Sequence, residues 1–127
     1  MAERLNNNLY CKVFVSGTTN RKALAELILR FADDAVTRRF FEITTGDISV
    51  DVRKNDFYDP DKSDFIHAQH YLDVNAFSGV DQAQFIKSTA KLLAFLKEQG
   101  CSVVPACDWE DELARLTEIH SSHPGSN

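Results

Sequence analysis

At 127 residues, 43 % hydrophobic and 26 % charged, the chain is long enough to bury one core, and no apolar run approaches the roughly 20 residues of a membrane-spanning helix. The net charge of −5 is spread unevenly, +2 on residues 1–46, −4 on 47–75 and −3 on 76–127, which argues against nucleic acid and toward a basic partner or simply toward solubility. The opening MAERLNNNLY lacks the apolar core of a signal peptide, so a single cytoplasmic domain is expected, with residues 1–8 a loose arm and 120–127 a disordered tail.

Leu9, Cys11, Val13 and Val15 alternate with Tyr10, Lys12 and Phe14, the period-two pattern of a strand. Residues 16–20 break the pattern and supply several N-cap side chains. Leu24, Leu27, Ile28 and Phe31 then form the apolar stripe of a helix predicted to end near Asp33 or Asp34. The Phe40–Thr44 segment reads as a short extra strand or as a bulged lead-in to the next one. Ile48, Val50 and Val52 face one side of a strand, and Ser49, Asp51 and Arg53 the other. The following loop carries Asp56, Asp59, Pro60, Asp61 and Asp64 and cannot pack as a core element. Alternation resumes over residues 66–75 and stops at Ser78-Gly79.

Asp81 with Gln84 three residues on predicts a capping-box start to the longest helix, whose apolar face holds Phe85, Ile86, Leu92, Leu93 and Leu96. Gly100 stands where a C′ glycine belongs. Residues 101–107 form the last strand, with Pro105 marking an edge position, and residues 108–119 a short acidic helix.

The order β-α-(β)β-β-α-β predicts an α+β fold, a ferredoxin-like split β-α-β arrangement with two helices on one face of a four-stranded antiparallel sheet. Its first and third main strands are expected to lie parallel at the centre. On that reading the 54–65 loop, the Asn-rich arm and the segment after Cys107 meet at one end of the sheet. Asp56, Asp59, Asp61 and Asp64 would then join Asp108, Glu110, Asp111 and Glu112 in a field of one sign, with Phe57, Tyr58 and Trp109 as aromatic anchors for a partner, unless Trp109 instead caps the core beneath the last strand.

Sites for small-molecule chemistry find little support. The aspartates of the loop miss the calcium-loop pattern, having neither the turn glycine nor the closing Glu. His67 and His70, three apart on a strand, would face opposite sides, so no metal or cofactor is expected. Cys11, Cys101 and Cys107 show no metal spacing and read as buried reduced thiols; strand length holds Cys101 and Cys107 too far apart to bridge. Cys107 is the one nucleophile candidate, and the topology sets no histidine beside it. The sheet face away from the helices should show Tyr10, Lys12, Phe14, Asp51, Arg53, Tyr71 and Asp73, a surface suited to protein contact or self-association.

Two stretches carry a resemblance: VVPACDWEDEL, residues 103–113, and VRKNDFYDP, residues 52–60. Together they resemble a group of small bacterial proteins in which a hydrophobic strand runs into C-D-aromatic-E-D-E-L after an earlier V-R-x-N-D loop. Some small acidic proteins of this build are immunity proteins that neutralise interbacterial toxins. The resemblance implies a non-catalytic binder of a basic toxin domain. The alternative expectation is a regulatory or small-ligand-binding ferredoxin-like domain, dimeric through its open sheet face.

Overall fold

The computed structural model describes residues 5–17 and 20–121, with side chains over residues 9–17 and 20–118. Its frame is the alternating stretch at the start of the chain. Cys11, Val13 and Val15 are buried on one face of strand β1 (Leu5–Ser16), while Tyr10 and Lys12 turn to the other. β1 already pairs at Leu5 with Phe77 and at Asn6 with Ala76, then slips register before Tyr10 meets Asn75. Residues 5–8, expected as a loose arm, are therefore strand; residues 1–4 lie outside the described residues. A ladder is built from backbone N–H and C=O groups, which asparagine carries as fully as valine does.

Helix α1 (Arg21–Ile28) starts at Asn20, whose side chain accepts from the Ala23 N–H at 2.8 Å. It stops short of the expected end. Arg30 and Phe31 bond three residues back, to Leu27 and Ile28, so the last turn tightens while Phe31 still packs on the core. A hairpin follows, β2 (Val36–Arg39) and β3 (Glu42–Thr44), where one short strand or a bulge was expected. All four β2 residues are exposed, so no burial pattern announces it. Its turn holds Phe40 at φ +39°, a left-handed conformation that strains a residue with a Cβ.

Strands β4 (Ile48–Lys54) and β5 (His70–Phe77) pair antiparallel. β5 begins later than its alternation suggested, because Phe65–His67 winds into a 3-10 turn. Helix α2 (Gln82–Glu98) is capped by Asp81, which accepts from the Gln84 N–H at 2.8 Å. The Gln84 side chain does not close the capping box. It donates to Asp47 at 2.8 Å, as Ser88 does at 3.0 Å, and so ties α2 to the turn before β4. Gly100, at φ +92°, ends α2 as expected: its N–H donates to Lys97 and that of Cys101 to Leu96, a Schellman close. Strand β6 (Ser102–Ala106) and helix α3 (Glu110–Ser121) complete the chain.

Among the described residues this makes an α+β fold with one six-stranded antiparallel sheet, ordered β2-β3-β4-β5-β1-β6, and three helices. Pro105 does sit on an edge strand. Two expectations fail. The sheet has six strands rather than four, and its central neighbours β1 and β5 run antiparallel rather than parallel. Each crossover returns to a strand parallel to its start, but one strand lies between them. β5 separates β1 from β4, and β1 separates β5 from β6.

The core lies between the Cys11/Val13/Val50/Leu72 face of the sheet and the helices. Leu24, Ile28, Phe85, Leu92, Leu93 and Leu96 are buried there as expected, and Leu113 of α3 joins them.

Candidate functional site

The antiparallel centre decides where the acidic segments go. Lys54 pairs with His70, His70 with Val15, and Ser16 with Ser102, so the 55–69 loop leaves the sheet where β1 ends and β6 begins. Lys12 pairs with Ala106, so Asp108 and Trp109 follow β6 toward the start of β1. Lys54 thus lies at the level of Val15 and Asp108 near that of Tyr10, about 17 Å apart along the strands. The expected single acidic field is two fields at opposite ends. Asp56, Asp59, Asp61 and Asp64 form one; Asp108, Glu110, Asp111 and Glu112 form the other, at the end where β1 begins. That spacing exceeds the screening length of about 8 Å at physiological salt, so the two groups act separately.

The 55–69 loop is held from within by Asn55, which is only 4 % exposed. Its Nδ2 donates to the carbonyls of Ile66 at 3.0 Å and Ala68 at 2.7 Å, and its Oδ1 accepts from the Phe57 N–H at 3.1 Å. Backbone bonds close the rest: Asn55 N–H to Gln69, Tyr58 to Asn55, Asp59 to His67, and His67 to Asp64. The sequence hint was an asparagine at a strand end, a residue that bonds backbone two positions on. Only the fold shows that its amide also reaches across the loop.

What the pinned loop displays is apolar. Phe57 is 75 % exposed, and Tyr58, Phe65 and Ile66 between 45 and 47 %. Asp56, Asp61 and Asp64 are exposed among them and Asp59 partly so. Ile66 was read as the start of a strand rather than as surface, and Phe65 as the end of the loop. Phe65 also stacks edge-on against Phe14, 5.3 Å away, and Phe14 lies 6.4 Å from Tyr71, whose ring carries the Lys12 ammonium at 4.3 Å. A hollow of about 340 Å³ lies beneath, lined by Phe14, Tyr58, Phe65, His67 and Val104 among others. His67 therefore belongs to the loop, not to a strand, whereas His70 is buried on the helix side, where burial and then the Arg21 charge lower its pKa.

The open sheet face is polar and largely self-satisfied. Arg53 pairs with Asp51 at 3.0 Å and Asp73 at 3.4 Å, the Tyr10 hydroxyl donates to Asp73, and Ser49 donates to Glu42 at 2.8 Å. These groups line a shallow hollow of about 380 Å³. Burial raises the Asp51 pKa, Arg53 opposes the rise, and Asp73 and Glu42 add to it.

At the other end Trp109 is half-buried, its ring edge-on to Phe85 at 5.7 Å and 75°. It packs as part of the core. Asp108, Glu110, Asp111 and Glu112 are exposed, with Glu110 accepting from the Cys107 N–H at 3.2 Å. There too, Cys11 and Cys107 bring their sulfurs to 2.8 Å, a pairing that no local spacing in the sequence announces.

Among the described residues, no group of three or more His, Cys, Asp or Glu is arranged to hold a metal ion, and no helix is long and apolar enough to cross a membrane. Comparison with protein-family models, curated proteins and solved structures finds no match for this chain.

Proposed function

We propose that this chain is a non-catalytic protein-binding module whose recognition element is the 55–69 loop. One observation carries the reading: four large apolar side chains, Phe57, Tyr58, Phe65 and Ile66, stand exposed on a loop that Asn55 has already ordered. Exposed apolar clusters mark contact surfaces, and a loop ordered before binding loses little entropy on binding. The surrounding aspartates suit a basic partner, which they would steer into contact. In the form that the sequence resemblance supports, the partner is the toxin domain neutralised by an immunity protein of the cytoplasm. The strands β4-β5-β1-β6 with α1 and α2 are read as a ferredoxin-like unit extended by the β2–β3 hairpin; the strand order supports this.

The second reading, a small-ligand regulatory domain dimeric through its open face, has the 380 Å³ hollow in its favour. Against it stands the pairing of Arg53, Tyr10, Ser49 and their carboxylates, which a ligand would have to displace.

The test is affinity for the purified product of the gene adjoining this one, by calorimetry and by association kinetics at two salt concentrations. Phe57→Ala and Ile66→Ala should each speed dissociation roughly ten-fold or more with folding stability unchanged. Asp59→Lys with Asp61→Lys should slow association and reduce its salt dependence, while Glu110→Lys with Asp111→Lys, at the far end, should do neither. No binding, or binding indifferent to the loop variants, would remove the proposal.

A further inference from the structure

β6 and β1 oppose two cysteines 96 residues apart in sequence. Ser16 faces Ser102 and Lys12 faces Ala106, so one more step along the same ladder sets Cys11 opposite Cys107. Directly opposed residues on antiparallel strands have Cα atoms about 4.5–5.5 Å apart, inside the roughly 4.4–6.8 Å window that a disulfide requires. The side chains point the same way. Their sulfurs are 2.8 Å apart, with the Cys11 thiol donating to Cys107.

The two differ in access. Cys11 is fully buried, whereas Cys107, just past the end of the edge strand, is partly exposed. The third cysteine does not compete. Cys101 lies at the opposite end of β6, next to Ser102, which pairs with Ser16, and burial pushes its thiol up.

We propose that Cys11 and Cys107 are a reversible oxidation site, at which a hydroperoxide converts the dithiol into a disulfide that staples the edge strand β6 and the start of α3 to the central strand β1. Cys107, as thiolate, attacks one oxygen of the peroxide. The O–O bond breaks and an S–O bond forms. The leaving oxygen takes a proton and departs as water (or as an alcohol), leaving a sulfenic acid on Cys107. The Cys11 sulfur then attacks the Cys107 sulfur, the S–O bond breaks, and the Cys11 proton leaves with that hydroxyl as a second water. The dithiol has lost two electrons and the peroxide has gained them. A small-molecule dithiol returns them by exchange.

The hydrogen bond from Cys11 holds the Cys107 thiol below its ordinary range, which favours the attacking thiolate. The same bond and burial push Cys11 up, so its proton is retained until the second step. A staple at this place acts on an edge pairing of the sheet. β6 is a five-residue edge strand, and Pro105 within it has no N–H to offer a partner.

The test starts from the fully reduced chain, treated with equimolar hydrogen peroxide, digested without reduction and mapped by mass spectrometry. A peptide linking Cys11 to Cys107 is expected, with Cys101 still open to alkylation. The thermal midpoint should rise by roughly 10 °C and return on adding dithiothreitol. Cys107→Ser, at a partly exposed position, should abolish link and shift together; Cys101→Ser should preserve both. Cys107 accumulating as sulfinic acid without a link, a link through Cys101 or between two copies, or thiols left unconsumed would each overturn the proposal.

Discussion

Replacing Asn55 with alanine tests whether the 55–69 loop is ordered by one side chain. The substitution removes two donated bonds, to Ile66 and Ala68, and one accepted bond, from the Phe57 N–H. At about 1 kcal/mol net for each bond, the expected loss is about 3 kcal/mol, reduced to the extent that water reaches the freed carbonyls at this surface. Asn55→Asp is the sharper variant. It keeps the acceptor for Phe57 but turns a carboxylate oxygen toward two carbonyls, and should cost more than alanine despite its near-identical shape. Urea denaturation gives the stability, and amide exchange gives the location. Exchange should quicken at Asp59, His67 and Ala68, whose N–H groups bond within the loop, while β1 and β5 change only with global stability. A loss below about 1 kcal/mol for both variants, with loop exchange unaltered, would show that the backbone bonds alone hold the loop.

Trp109→Ala should lower stability by about 2 kcal/mol in urea denaturation, because the half-buried ring packs on Phe85; a loss under about 0.5 kcal/mol would return Trp109 to the surface. Stability should also fall as pH drops. His70 is harder to protonate folded than unfolded, so the unfolded chain binds more protons below its ordinary value of 6.5. The stability that neutral His70 contributes is complete above that value and is lost as pH falls from it toward the lowered folded value. Asp51 acts with opposite sign: its raised pKa adds stability that is complete below the ordinary carboxylate value of 3.8 and is lost as pH rises through the higher folded value. Urea midpoints from about pH 7.5 down to pH 5.5 should therefore decline for the native chain and flatten for His70→Leu. An unaltered slope in the variant would assign the decline to another group.

Local chemistry made much of this fold readable from the sequence. The alternation through Cys11, Val13 and Val15, the Leu24–Ile28 and Phe85–Leu96 stripes, the Asp81 cap and the Gly100 close each depend on neighbours within a turn or a strand, where residue type and backbone preference act directly. The edge position of Pro105 was legible for the same reason: a missing N–H is a property of the residue itself.

Other features depended on what the chain meets after folding. The exposed β2 strand has no buried face to imprint a pattern, and exists because β3 supplies its hydrogen bonds. The direction of β5 beside β1 reversed the expected neighbourhoods, sending Asp108–Glu112 away from the 55–69 loop although each segment had been read as acidic. Asn55 and the Cys11–Cys107 pair show the same limit at the scale of single atoms. Hydrogen-bonding and thiol chemistry are written in the residues, but the carbonyls of Ile66 and Ala68, and the second sulfur 96 positions away, are placed only by strand register.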